Sequence, residues 1–409
     1  MTTQQTKQQL NLNDLLKPEG PVCLIIQADM KTVGNEDTFQ PAGFPQIGHV
    51  IYKAPRKDHN GNPAVEDVCI VDSPASMANH LETVCIPFGD GFTLHPDLND
   101  LPHVVCVTDA EGSADLRPVT STLQEGHRLA SDYFVDPNEA KLPQENEKDK
   151  NKWPLFREQL RQGFGIREIK KNEKYFIYPE NWWSIYKTIF QYDPNSLVHG
   201  LLFAKEQIKI TRFLTAHMEA FGAGRVRGSG VKFDPLGKTA SGQPIFATDS
   251  ETAHSIRATF ILDLALLRSY GRKVKDKDDK NADIGLSDVQ KQLLLKLAFW
   301  KIQQLLSKPF RFRSRCYLSC STLRIFDERY RENDPPKSDV PGVYKGELPT
   351  IDMGAAIGAC EFNAGTAVTK IWYPAEKLFK EKEKSPPENN ANQGTGDAEN
   401  DEEQGGEEG

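Results

Sequence analysis

An α+β fold is predicted by three observations on the 409-residue sequence. Short apolar runs, such as those at 21–30 and 102–108, have the length and composition of strands. Residues 73–83 and 287–307 carry the capping and spacing signals of helices. In the first 108 residues these signals follow one another as β–β–α–β. That succession predicts a ferredoxin-like sheet with helices on one face.

The N-terminal elements are predicted as follows. PVCLIIQADM at 21–30 is a buried strand, and a Gly/Pro-rich loop over 31–48 leads to the short strand HVIYKAP. A turn at 60–63 precedes the apolar run 68–71, and a helix opens directly after it, with Ser73 as its cap and Pro74 at its first position. Residues 102–108 are then predicted as a strand and 118–130 as a helix.

The middle of the chain begins with a charged break. Residues 136–152 contain proline and many charges, and we predict an insertion or sub-domain boundary there. The aromatic-rich stretch 153–192 is predicted to be helical, and 197–204 to be a strand. Residues 210–221 fit both a helical period and a strand alternation, so both assignments stay open.

The last third alternates between glycine-rich, charged and apolar segments. Residues 222–244 are dense in glycine, 256–268 are predicted to be extended, and 271–283 form a second charged loop. The clearest helix of the chain spans 287–307, with Ser287 as its cap.

The net charge of −8 comes from the C-terminal tail alone. Residues 381–409 hold ten acidic residues and two lysines, so the preceding 380 residues carry 48 acidic and 48 basic side chains. The tail is rich in Asn, Gly, Pro and Glu, and we predict that it is disordered because it has too little apolar surface to fold. The whole-chain charge therefore does not exclude a nucleic-acid partner.

The composition, 38% hydrophobic and 26% charged, is that of a soluble protein, and a cytoplasmic location is expected. The N-terminus MTTQQTKQQLN lacks the apolar core of a signal peptide, and the run TFILDLALL is too short to cross a bilayer, so no membrane partner is expected. Four of the seven cysteines lie in strand-like surroundings, which favours free, buried thiols. Only Cys316 and Cys320 lie close together, without a second zinc-binding pair, so no metal or other cofactor is expected.

The helix at 73–83 has an unusual polar side. Ser76, Asn79, His80 and Thr83 recur at helical spacing, where an ordinary surface helix would carry Lys and Glu. Small uncharged donors and acceptors near a helix N-terminus suit a sugar–phosphate backbone. The alternative is that Asn79 and His80 satisfy buried loop carbonyls.

The segment KPFRFRSR at 308–315 alternates basic and aromatic residues. On a strand, Arg311, Arg313 and Arg315 would share one face, with Phe310 and Phe312 on the other. Three like charges on one face repel one another, so an anion such as phosphate is the expected partner. The alternative is an edge strand whose arginines pair with acidic residues.

The glycine-rich loop also carries four basic residues: Arg225, Arg227, Lys232 and Lys238. A triphosphate-binding loop is not predicted, because Lys232 stands where that motif needs glycine, and Pro235 interrupts the cradle. An outward-reaching basic arm and an ordinary solvated loop remain as alternatives.

Catalytic signatures are weak. The sequence has no Gly-x-Ser-x-Gly elbow and no His-Glu-x-x-His motif, so we predict no catalytic residues. Asp29, at the end of the first strand, is the best single carboxylate for acid–base or metal chemistry, although such a residue is more often a loop cap.

Several segments together resemble a known family. They are FQPAGFP at 39–45, SMANHLE at 76–82, HGLL at 199–202, TRFLTA at 211–216 and FRSRC at 312–316. In these the chain resembles the backbone subunit of type I-G (formerly I-U) CRISPR Cascade effector complexes, a RAMP protein of the seventh Cas family. The matches spread over roughly residues 20–375; the 136–152 break and the acidic tail lie outside the resemblance.

The resemblance implies an RRM-like palm over residues 1–380 with large inserted finger and thumb elements. We assign the insertions to a helical segment at 136–195, a glycine-rich arm at 222–250 and a charged loop at 271–285. Copies of the chain would stack as a filament along one CRISPR guide RNA and display it for pairing with target DNA, beside a large subunit and a cap or processing subunit. The candidate RNA-binding residues are Lys31, Ser76, Asn79, His80, Arg212, Arg225, Arg227, Lys232, Arg311, Arg313 and Arg315.

Three other functions stay open at this point. Related type III backbone subunits cut target RNA with a loop aspartate, a role that Asp29 could take. A nuclease that processes CRISPR repeat RNA would need an acid–base pair, and no convincing histidine pair is present. A structural protein without nucleic acid is the third.

Overall fold

The computed structural model describes residues 9–44, 47–58, 60–109, 115–171, 174–179, 181–226, 250–275, 281–330, 342–362 and 367–378. The predicted α+β class is confirmed, with helices packed on largely antiparallel sheets. The described helices are α1 (Leu12–Leu15), α2 (Pro74–Thr83), α3 (Asp132–Val135), α4 (Phe156–Gly163), α5 (Trp182–Tyr192), α6 (Pro194–His199), α7 (Leu264–Ser269), α8 (Asp288–Leu306), α9 (Met353–Gly358) and α10 (Ala375–Leu378). The described strands are β1 (Cys23–Thr32), β2 (Gly43–Phe44), β3 (Gly48–His49), β4 (Ile51–Lys57), β5 (Pro63–Asp72), β6 (His103–Asp109), β7 (Leu116–Ser121), β8 (Ile166–Lys171), β9 (Lys174–Pro179), β10 (Leu201–Phe203), β11 (Ile208–Ile210), β12 (Leu214–Phe221), β13 (Gly224–Val226), β14 (Ser250–Thr252), β15 (Ser255–Asp263), β16 (Gly271–Lys275), β17 (Asn281–Gly285), β18 (Phe310–Arg313), β19 (Cys316–Asp327), β20 (Val343–Tyr344) and β21 (Val368–Trp372).

The main sheet is antiparallel and has the strand order β18-β19-β1-β15-β12-β5-β4, with β20 paired to β19. Its four central strands are β19-β1-β15-β12. Along the chain, these strands and the two helices α2 and α8 follow in the order β1-α2-β12-β15-α8-β19. This order, in which the first and third strands are neighbours inside the second and fourth, is compatible with the predicted ferredoxin-like palm.

The two faces of this sheet differ in burial. In β1, Leu24, Ile26, Ala28 and Met30 are buried, whereas the residues between them are more accessible. On the buried face α2 packs against β12, and α8 in turn contacts α2. The start of α8 is held by a capping box, because Gln290 N donates to Ser287 Oγ (3.3 Å) and Ser287 N donates to the side chain of Gln290 (3.0 Å).

A second, three-stranded sheet has the order β21-β6-β7, with β21 parallel to β6. The predicted helix over 118–130 is wrong, because β7 occupies Leu116–Ser121 and pairs with β6. Val119 and Thr120 are β-branched and fit a pleated sheet once a partner strand is available. The 136–152 break is tied to the same sheet, since Lys141 and Trp372 exchange two backbone hydrogen bonds (3.0 and 2.8 Å).

Four other predictions change in detail. The stretch 153–192 is helical only at its ends, because β8 and β9 form a hairpin between α4 and α5. The predicted strand 197–204 begins as α6, the extended segment 256–268 ends as α7, and the charged loop 271–283 is the hairpin β16–β17. The ambiguous segment 210–221 is largely the strand β12, in which buried and partly accessible side chains alternate, whereas its first residue, Ile210, ends β11. The tail at 381–409 and most of the glycine-rich arm lie outside the described residues.

All seven cysteines are free, and Cys69, Cys85 and Cys106 are buried as expected, whereas Cys23 is partly accessible. Within the described ranges, no helix combines the length and the hydrophobicity that a bilayer crossing requires.

Candidate nucleic-acid interface

The start of α2 is anchored on the end of β5. Ser73 caps the helix, with its Oγ accepting from Ser76 N (3.3 Å), and Ser73 N donates to Asp72 Oδ1 (3.0 Å). Met77 is buried on the inner side of α2, while Asn79 is exposed. The capping signal read from the sequence is therefore confirmed, and the helix presents part of its uncharged polar side to solvent.

Asp72 joins this helix to β18. Its Oδ2 lies 2.9 Å from His80 Nε2 and 2.9 Å from Arg313 Nη2, and Arg313 Nη1 also donates to Val71 O (2.9 Å). Burial would raise the pKa of Asp72, but hydrogen bonds from His80 and Ser76 and the charge of Arg313 outweigh it and lower that pKa. The fully buried carboxylate thus stays charged and holds both basic side chains.

The aromatic residues of β18 complete the contact. The His80 ring lies edge-on to Phe310 (5.5 Å between centroids) and to Phe312 (5.2 Å). The polar face of α2 and the basic segment 308–315, far apart along the chain, therefore meet. The alternative of a buried loop carbonyl for His80 is replaced by the Asp72 carboxylate.

The prediction that three arginines share one strand face is wrong. β18 ends at Arg313, its register against β19 shifts between Arg311 and Arg313, and Ser314-Arg315 forms the hairpin turn, with Arg315 at φ 57°. Because Arg315 lies in this turn in left-handed backbone, it does not continue the alternation of side chains along β18. Arg311 is exposed and donates to Ser314 Oγ (3.0 Å).

The loop that contains FQPAGFP packs against this hairpin. Gln40 N donates to Arg315 O (2.9 Å), and Arg313 Nη1 donates to Gln40 O (3.3 Å). The Gln40 side chain reaches His49, with Nε2 atoms 2.9 Å apart, and His49 Nδ1 lies 2.9 Å from Glu251 Oε1. The loop therefore links the hairpin to β14.

Arg225 joins the same group from β13. Its Nε donates to Glu251 Oε1 (3.1 Å) and its Nη2 to His49 O (3.2 Å). Its side chain remains 41% exposed, so one edge of the guanidinium is open to a further partner. Arg227 and Lys232 lie outside the described residues.

Two further predicted residues lie near these elements. Lys31 is exposed at the end of β1, in register with Ser319 of β19. Arg212 Nη1 donates to Pro74 O (3.4 Å) in the first turn of α2. The exposed candidates for an anion are therefore Lys31, Arg311, Arg315 and part of Arg225, whereas Arg313 and His80 are committed to Asp72.

Sequence reasoning missed Tyr317, Gln40, His49 and Glu251. Tyr317 is 45% exposed and lies under the Arg311 guanidinium, 5.8 Å from its centre. The signal for Tyr317 was present, since it follows the basic segment by two positions on the outward side of a strand. Glu251 had no local signal, because its partners come from distant segments.

Asp29 lies inside β1 and not in a loop. Its Oδ1 accepts from Arg257 Nε (3.4 Å) and from Arg324 Nη2 (3.1 Å). Two guanidinium groups thus occupy the carboxylate that the sequence offered for catalysis. In the part of the chain that the structure describes, no group of three or more His, Cys, Asp or Glu residues is arranged to hold a metal ion.

Comparison with known proteins gives three findings. Residues 24–225 match the model of the family of CRISPR-associated protein GSU0053. No curated protein matches the chain. A chain of a solved complex described as "CRISPR RNA-guided surveillance complex, pre-nicking" is similar, with 11% identity over 82% of this chain and 87% of that chain and a TM-score of 0.31, a value too low to establish a common fold.

Proposed function

We propose that this chain is a non-catalytic backbone subunit that binds guide RNA in a CRISPR surveillance complex of the Cascade type. In this proposal, copies of the chain line up along one guide and display it for pairing with target DNA. The match of residues 24–225 to a CRISPR-associated family supports the CRISPR setting. The segments FQPAGFP and SMANHLE, which carry the resemblance to type I-G backbone subunits, both fall within that range.

One observation carries the RNA-binding role: the contact of the uncharged α2 face with the basic β18–β19 hairpin. Exposed Arg311 and Arg315 can neutralise phosphates, and exposed Asn79 can contact a 2′-hydroxyl or a phosphate oxygen. None of these groups demands a particular base. A guide of arbitrary sequence has to be held in this way, through its backbone and shape.

The absence of catalysis is part of the proposal. Asp29 is paired with Arg257 and Arg324, which favours a structural role for its carboxylate. An Asp29→Ala variant and the parent protein should both leave RNA paired to the guide intact in the presence of Mg²⁺. Cleavage by the parent that disappears in the variant would instead assign the type III endonuclease role.

Assembly with other subunits is supported by the charge balance. The first 380 residues carry 48 acidic and 48 basic side chains, so a basic RNA surface has to be offset by acidic surface elsewhere. Such a distribution suits head-to-tail stacking of copies, in which unlike surfaces meet. We place the large subunit and the cap or processing subunit of Cascade at the ends or side of this stack.

RNA retention by the purified protein tests the proposal. We expect an excess of absorbance at 260 nm that RNase removes, and affinity for single-stranded RNA that falls with salt. The double variant Arg311→Ala/Arg315→Ala should lose at least tenfold in affinity. The control Lys205→Ala/Lys370→Ala removes the same charge from exposed sites on other strands and loops and should change affinity far less. An equal loss in both variants, or no RNA binding by the parent, would overturn the proposal.

A further inference from the structure

A pocket of about 700 Å³ opens beside the β18–β19 hairpin. Its lining includes, on the β1 side, Thr32 at the end of the strand with Glu36 and Asp37 beyond it, and, on the hairpin side, Arg315 and Tyr317. Its size lies in the range of ordinary small-molecule sites. The candidate RNA-binding residues described above reach this pocket only through Arg315.

Tyr317 has the surroundings of a stacking residue. Its neighbours Cys316 and Leu318 are buried, so the strand alternation turns the Tyr317 ring outward, where 45% of the residue is exposed. Arg311, its register partner on β18, lies 5.8 Å from the ring centre. A phenol ring with a guanidinium against it offers both a π-face and a fixed positive charge.

Both sides of the pocket are held by hydrogen bonds to backbone carbonyl groups. Thr32 Oγ1 donates to Glu36 O (2.6 Å) and closes the turn, and Arg315 O accepts from Gln40 N (2.9 Å). These hydrogen bonds fix the turn and the hairpin within the chain itself, which lowers the ordering cost of binding.

The charged side chains that line the pocket determine which part of a ligand can enter it. Glu36 and Asp37 are exposed and line the pocket together with Arg315. Two carboxylates repel a phosphate from the interior, while Arg311 and Arg315 attract one at the hairpin side. Carboxylate oxygens can accept from the N–H groups at the edge of a nucleobase. A nucleotide thus fits when its base enters the pocket and its phosphate stays at the arginines.

We propose that this pocket receives a nucleobase of single-stranded RNA, stacked on Tyr317, with the adjoining phosphate on Arg311 and Arg315. The proposal rests on the RNA-binding function above and adds a base-stacking residue to it. Stacking makes little demand on sequence, because every base has a π-face, so the pocket is consistent with a guide of any sequence.

Fluorescence of 2-aminopurine tests this directly. Oligoribonucleotides of about eight nucleotides, each with 2-aminopurine at one position, are titrated with the full-length protein. We expect quenching by the parent and by Tyr317→Phe, and loss of quenching with at least a fivefold weaker affinity in Tyr317→Ala. Tyr317→Thr should behave like Tyr317→Ala while keeping a residue that favours strands, which guards against a folding defect. The control Phe88→Ala, at an aromatic residue that is 61% exposed, should leave both signals unchanged.

The outcomes separate this inference from the proposed function. If Tyr317→Ala binds and quenches like the parent while Arg311→Ala/Arg315→Ala is weakened, the stacking inference is overturned and the RNA-binding function stands. If Tyr317→Phe loses as much as Tyr317→Ala, the ring hydroxyl acts and stacking does not. If the parent binds no RNA, the proposed function fails and the inference fails with it.

Discussion

Arg311 and Arg313 are two positions apart, yet their surroundings assign them different tasks. Arg313 spans Asp72 and two backbone carbonyls, and only 22% of its side chain is exposed. Arg311 is exposed, with Ser314 and Tyr317 as its neighbours. The difference follows from the buried carboxylate of Asp72, which attracts the nearer guanidinium.

Arg313→Ala should therefore destabilise the fold, whereas Arg311→Ala should weaken RNA binding. Removing Arg313 takes a permanent positive charge away from the buried Asp72 carboxylate, and the loss should be about 3 kcal/mol. Urea denaturation of both variants checks this, and equal midpoints for Arg313→Ala and the parent would contradict it.

Asp193 is a second buried carboxylate, and its pKa is shifted in the opposite direction to that of Asp72. It is fully buried between α5 and α6 and accepts a hydrogen bond from Ser196 Oγ (2.6 Å). Burial raises the pKa of Asp193 to about 6, outweighing this hydrogen bond and the nearby charges of Lys301 and Arg128. A folded-state pKa above the unfolded one adds stability at low pH, and this contribution is lost as pH rises through 6.

Asp193→Asn should remove this dependence. Between pH 5 and pH 7 the parent should lose about 1 kcal/mol of unfolding free energy relative to the variant, whose amide does not titrate. Urea denaturation at both pH values measures the difference. A variant that loses as much stability as the parent over this range would show that Asp193 does not titrate there.

At the scale of elements, short connections position the interface residues. Gly200 ends α6 at φ 75° and ψ 162°, a conformation essentially restricted to glycine. A Cβ there would lie 2.6 Å from Ile210 O and 2.8 Å from Arg212 N. The close approach of Gly200 to residues 210–212 fixes the backbone position of Arg212, whose side chain donates to Pro74 O of α2.

Gly200→Ala should cost about 3 kcal/mol or more, because backbone strain and a clash with backbone atoms add up. Gly34→Ala is the matched control, since Gly34 also has a positive φ, 81°, but no atom lies within 4 Å of a Cβ there. We expect the control to cost about 1 kcal/mol. Thermal or urea unfolding compares them, and equal losses would mean that the close approach is not tight.

At the scale of the whole molecule, charge is divided between a neutral body and an acidic tail. Residues 381–409 carry all of the net −8. We propose that the tail competes with nucleic acid for the exposed arginines, because its negative charge is attracted to the same basic side chains. The tail would thereby lower the affinity of free subunits for nonspecific RNA.

Deletion of residues 381–409 should raise the affinity for unrelated single-stranded RNA severalfold at low salt, with little change at high salt, because screening removes the competition. Filter binding across a salt series measures this. A full-length variant with the ten acidic residues replaced by their amides separates charge from chain length and should match the deletion. Unchanged affinity in both variants would contradict the role.

Much of the fold is determined by local signals in the sequence. Ser73 and Pro74 begin α2, Ser287 begins α8, and the apolar run at 21–30 forms β1, since caps and hydrophobic periods act over a few residues. The composition likewise separates the neutral body from the acidic tail. Most of the candidate RNA-binding residues also come from such local patterns.

The tertiary structure alone decided which of those residues are exposed. Arg313 and His80 turn inward because the carboxylate of Asp72, on another strand, is buried and needs the charge of Arg313 and hydrogen bonds from both. The segment 116–121 is a strand because β6 offers it a partner. Burial, ion pairing and strand pairing depend on segments that are distant along the chain, so a local pattern of residues does not contain them.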